Sequence, residues 1–113
     1  MKSASWRLTV VSHLVWILAA AGSAQEVQFD RDVRPILAAH CFACHGPDEK
    51  SREADLRLDV AENAAIQPGD ADASELVARI ETDDEDVVMP PPDSGHRLTS
   101  AQKQTLRLWI DQG

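Results

Sequence analysis

Cys41-Phe42-Ala43-Cys44-His45 is the stretch of this sequence whose residue types and spacing could do covalent chemistry. Two thiols three positions apart fall on one face of a helical turn. From there both can add to the vinyl groups of a single haem and form thioethers, and the imidazole that follows at once, His45, can reach the iron. Cys41 and Cys44 are the only cysteines in the chain, so no other thiol competes for either role. Other chemistries also use paired cysteines. A structural zinc site wants a second pair of ligands at similar spacing, and His13, His40 and His96 form none. Thioredoxin-like redox chemistry goes with a strand-helix-strand pattern, which the sequence does not show. A plain disulfide between Cys41 and Cys44 is the remaining competitor. The histidine directly after the second cysteine favours haem.

An element must deliver this motif. Val33, Ile36, Leu37 and His40 recur at helical spacing and run straight into Cys41, predicting a helix that ends by carrying the motif. Asp30 or Asp32 is its expected cap; with Asp32 in that role Pro35 falls in the first turn, where proline is tolerated. Gly46-Pro47 is expected to stop it. Asp48 to Glu53 reads as a charged loop. Leu56 and Leu58 alternate with Asp55, Arg57 and Asp59, predicting a short extended segment with its apolar side on the haem edge. Ala61 to Ile66 suggests a helical turn, and Pro68-Gly69-Asp70 a reverse turn.

A second helix is expected after Asp72 or Ser74, with Leu76, Val77 and Ile80 as its apolar face and Glu75 completing a near capping box with Asp72. The acidic run Glu81 to Asp86 reads as a solvated loop. Val87-Val88 is expected to return to the core ahead of Met89-Pro90-Pro91-Pro92, whose prolines favour a stiff extended backbone. The last helix is marked by a Thr99/Gln102 capping box. Ala101, Thr105, Leu108 and Trp109 form one stripe with Leu106 and Ile110 beside it, and Gly113 stands at the C′ position. Trp109 is expected where the first and last helices cross. The predicted fold is all-α, with helices around one haem.

Length and charge set further bounds. Of 113 residues, the first 24 read as a signal peptide: Lys2 and Arg7 before a mostly apolar run from Leu8 to Ala21, then Gly22-Ser23-Ala24 as a cleavage site. The apolar run is short for a membrane span of about 20 residues. The predicted domain is 25–113, small for a self-sufficient core, so a buried haem and a short chain suit one another. The chain has 11 basic and 19 acidic residues, a net charge of −8, which argues against nucleic-acid and anionic-membrane partners. Export and haem attachment agree on a secreted or periplasmic location in the cell envelope.

The motif, the later Met89-Pro90 and the terminal helices resemble class I cytochrome c. More narrowly, the chain is similar to the planctomycete-type cytochrome c domain. The stretches that carry this likeness are Phe29-Asp30-Arg31-Asp32-Val33-Arg34-Pro35-Ile36-Leu37, Cys44-His45-Gly46-Pro47-Asp48 and Arg52-Glu53-Ala54-Asp55-Leu56-Arg57-Leu58-Asp59. Pro68-Gly69-Asp70, Ser74-Glu75-Leu76, Met89-Pro90-Pro91-Pro92 and Leu106-Arg107-Leu108-Trp109-Ile110-Asp111-Gln112-Gly113 add to it. In that family the domain commonly opens a longer secreted protein.

The resemblance implies one covalently attached haem c, with His45 as proximal ligand and Met89 as distal ligand. Met89 is the only methionine besides Met1, and His96 is the rival sixth ligand. The expected function is electron transfer with a redox partner protein, and no catalytic constellation appears beside the motif. The alternatives are a ligand-binding or peroxidase-like haem domain, which needs an open sixth position, and an accessory haem module serving a downstream domain.

Overall fold

The apolar spacing around Val33 produces a helical stretch that starts as one wide π turn, Phe29–Val33, and continues as α1, Arg34–His40. The computed structural model describes residues 25–113, so the expected signal peptide and its cleavage site lie outside the described residues. The wide turn sits directly ahead of Pro35. Proline has no N–H for the carbonyl four residues back, and its ring crowds that carbonyl. The turn before it opens accordingly, the Arg34 N–H reaching Phe29 O. Neither aspartate is the N-cap. Gln28 holds that position, and Asp32 reaches back to accept its N–H at 2.8 Å.

α2 is Glu75–Glu81 and α3 is Ser100–Gln112. A 3₁₀ turn, Pro92–Ser94, lies between them, and there is no strand among the described residues. The all-α reading is therefore correct. Ser74 is the N-cap of α2 by position, but its buried hydroxyl is used elsewhere. It accepts the Gln67 N–H and donates to Asp70 O, both at 2.8 Å, bracing the turn at Gly69. The predicted box on α3 is present: Thr99 Oγ1 accepts the Gln102 N–H at 3.1 Å and Gln102 Oε1 accepts the Thr99 N–H at 2.9 Å.

The helical stretch 29–40 and α3 run in opposite chain directions, with α3 meeting that stretch chiefly at the Phe29–Val33 turn. His40, at the end of α1, meets Gln102 near the start of α3. At the other end, the Phe29 and Trp109 rings stand 5.4 Å apart at 39°, placing Trp109 at the expected contact. Gln112 both accepts the Val27 N–H and donates to Val27 O, each at 2.9 Å. The core gathers Val33 of the wide turn, Ile36 and Leu37 of α1, Leu76, Val77 and Ile80 of α2, and Leu106 and Ile110 of α3. Leu58, Ala65 and Ala71 fill in from the connecting segments.

The predicted stripe on α3 needs correction. Leu106, Trp109 and Ile110 share the inward side with Thr105 half-buried at its edge, while at about 100° per residue Ala101 and Leu108 face away; Leu108 is 45% exposed. The Leu56–Leu58 segment has no strand partner among the described residues. Ala54 and Asp55 adopt left-handed φ values of 54° and 51° and turn the chain just before it. Ala61 to Ile66 forms turns, not a helical turn, because Asn63 bonds both Val60 O and the Ala65 N–H at 3.1 Å. Val87 is 37% exposed and does not return to the core, since its N–H and that of Val88 are turned onto Asp84 O.

Glu81 leaves the expected solvated run. Arg107 of α3 holds its carboxylate bidentately at 2.9 and 2.8 Å and reaches Asp72 at 2.6 Å. These bonds hold the Glu81 carboxyl below its usual range and raise the Arg107 guanidinium. No helix among the described residues is long and apolar enough to cross a membrane.

Candidate haem-attachment site

The motif does not continue α1. The helix ends at His40, and Cys41 departs from helical geometry with φ −129° and ψ −41°. Leu37 O accepts both the Cys41 and Phe42 N–H groups, at 2.8 and 2.9 Å. A fresh turn follows, in which Cys41 O accepts from Cys44 at 3.2 Å and from His45 at 2.8 Å. Cys41, Cys44 and His45 are thus gathered on one turn, as their spacing predicts.

Both cysteines are free, so the competing disulfide is not formed. Cys41 is half-buried against the core and Cys44 is exposed. Burial pushes the Cys41 thiol up to about 11, which keeps it protonated at neutral pH. His45 places Nδ1 at 3.2 Å from Glu53 O. A carbonyl can only accept, so Nδ1 carries the proton and Nε2 keeps its lone pair. That is the arrangement a metal-ligating imidazole uses. Two unpaired thiols and one imidazole with its free nitrogen set are a donor set that fits a c-type haem.

The segment 52–58 holds the motif turn in place. The Glu53 N–H donates to Cys44 O at 2.7 Å, and the Leu58 N–H donates to His45 O at 2.8 Å. Arg52, with its side chain 14% exposed, donates to Gly46 O at 3.0 Å and to Pro47 O at 3.1 Å. Leu58 also lines an apolar cavity of about 410 Å³ bounded by Phe29, Val60, Ile66, Trp109 and Ile110. Gly46 is a space requirement, not the helix stop read from sequence, since α1 has already ended. A Cβ there would overlap the Phe42 carbonyl oxygen.

Met89 is half-buried on a separate strap carried by α2. Its N–H donates to Arg79 O at 2.9 Å, and Arg79 Nη1 donates to Val87 O at 3.3 Å. The proline run is only partly extended: Pro91 has φ −54° and ψ 143°, and Pro92 enters the 3₁₀ turn. His96, the rival sixth ligand, is exposed. His40 is engaged at both ring nitrogens. Its Nδ1 bonds His96 O at 2.7 Å and its Nε2 meets Gln102 Nε2 at 3.3 Å.

The sequence reading missed Arg52, Glu53, Arg79 and this use of His40. They act through bonds to residues between 5 and 56 positions away, for which spacing leaves no signal. Arg52 and Glu53 did stand within a stretch of family likeness.

The family model for planctomycete cytochrome C matches residues 41–93. That span starts at the first motif cysteine and includes Cys44, His45 and Met89, while α1 and α3 lie outside it. No curated protein and no solved structure matches the chain. With the all-α fold and the paired thiols before His45, the match supports a planctomycete-type cytochrome c domain over residues 41–93.

Proposed function

We propose that this domain is a one-electron carrier of the cell envelope holding one haem c. Cys41 and Cys44 would form its thioethers, His45 Nε2 would be the proximal ligand and the Met89 sulfur the distal one. When bound, the haem supplies a one-electron couple, and a Met/His ligand pair favours a high potential. The residues of the chain do the rest. Glu53 O fixes the ring and tautomer of His45. Arg52 and the Leu58 N–H stiffen the turn on which it stands. Arg79 anchors Met89 from the side of α2. Filling both axial positions suits electron transfer because little rearranges when the iron changes charge.

The observation that carries this reading is the His45 Nδ1 bond to Glu53 O beside two unpaired thiols. A redox protein is the proposed partner, and location outside the cytoplasm follows the usual setting of c-type haem. The test is extraction. The exported protein, matured with haem, is denatured and shaken with acidic organic solvent. Haem that stays with the chain supports thioether attachment, and its loss to the solvent overturns it. The double variant Cys41→Ser, Cys44→Ser is expected to hold no covalent haem.

A further inference from the structure

The strap that carries Met89 is fastened at two ends. The upstream end is the Met89 N–H on Arg79 O at 2.9 Å. The middle braces itself: Ser94 donates from N and from Oγ to Pro91 O, at 3.0 and 2.7 Å, and the His96 N–H donates to Ser94 Oγ at 3.2 Å. The downstream end is His96 O, which is held by His40 at 2.7 Å. His40 is the last residue of α1 and the one directly before Cys41.

The bonding order follows from the partners. His96 O only accepts, so His40 Nδ1 donates and Nε2 accepts. Gln102 can supply that proton from Nε2, because its Oε1 is already committed to the Thr99 N–H. One chain of donors thus runs from the cap of α3, through Gln102 and His40, to the strap. The ring also meets that of His96 edge-on, with centroids 6.5 Å apart.

We propose that His40 is a positioning residue that latches the 89–96 strap to the Cys41 end of α1, and so holds the Met89 sulfur toward the haem. This rests on Met89 being the distal ligand, as proposed above. An asparagine can keep the donor to His96 O, since its Nδ2 stands near where Nδ1 stands in histidine. A phenylalanine keeps the ring and loses both bonds.

The experiment uses the haem-loaded protein with two readouts: the sulfur-to-iron charge-transfer band of the oxidised form, and peptide-level hydrogen exchange over residues 89–98. His40→Phe is expected to weaken the band and to speed exchange in that peptide by roughly three- to tenfold, the change one neutral hydrogen bond is worth. His40→Asn is expected to keep both near the unsubstituted values. A band and an exchange rate unchanged in His40→Phe overturn the latch, as does a His40→Asn variant as impaired as His40→Phe. If the unsubstituted protein shows no such band, Met89 ligation fails; exchange alone then decides whether His40 holds the strap.

Discussion

Glu53 holds His45 from two directions: its carbonyl oxygen takes the Nδ1 proton at 3.2 Å, and its N–H donates to Cys44 O, one residue before His45, at 2.7 Å. The chain presents both groups to the motif because Ala54 and Asp55 reverse it with left-handed backbone. That conformation costs a non-glycine residue about 1–2 kcal/mol. Ala54→Gly is therefore expected to raise the denaturant midpoint modestly. Ala54→Val, whose branched side chain resists positive φ, is expected to lower it by about 1 kcal/mol or more.

Arg52 satisfies two carbonyls directly after the motif, Gly46 O and Pro47 O. Removing it leaves Gly46 O, on a buried residue, without that donor. Arg52→Ala is expected to cost about 1–3 kcal/mol in urea unfolding. Arg52→Lys is expected to recover only part, since a single ammonium lacks the planar fork.

Gly46 faces backbone, not a side chain that could swing away. Gly46→Ala must move the Phe42 peptide and with it the turn that bears both thiols. The expected loss is about 1–3 kcal/mol, as for other overpacked sites, with a lower yield of haem-loaded protein. An unchanged melting temperature would show that the turn has room to shift.

Acid should weaken the start of the first helix. The side-chain bond from Arg31, and next the Gln28 N–H, lower the Asp32 carboxyl from 3.8 to about 2. Because the folded value is depressed, its contribution is complete above the unfolded value and is lost as pH falls from about 4 toward 2. Asp32→Asn is expected to flatten that part of the acid limb in urea titrations. Added salt should shrink the difference, since the pair is exposed.

Local chemistry was readable and distant chemistry was not. The spacing of Cys41, Cys44 and His45, and the Thr99/Gln102 box, are each settled within a few residues, and the structure holds both as expected. The three helices were likewise legible from their apolar spacing. Which side of α3 faces inward was misjudged, because Leu108 is as apolar as Leu106 and only the packing of the Phe29–Val33 turn and α2 separates them. The end of α1 before Cys41 depends on Leu37 O taking two donors, which no residue pattern announces. His40, Arg52 and Arg79 bond backbone groups from 5 to 56 residues away, pairings made only once the chain has folded.

The central claim is a haem iron held between His45 and Met89, and carbon monoxide tests it most directly. Recorded optically on the reduced, haem-loaded protein, the account predicts little or no carbon monoxide binding, together with a sulfur-to-iron band in the oxidised form. Met89→Ala should lose the band and bind the gas readily, while His96→Ala should change neither. Rapid carbon monoxide binding by the unsubstituted protein would contradict the electron-carrier reading and favour a ligand-binding haem domain.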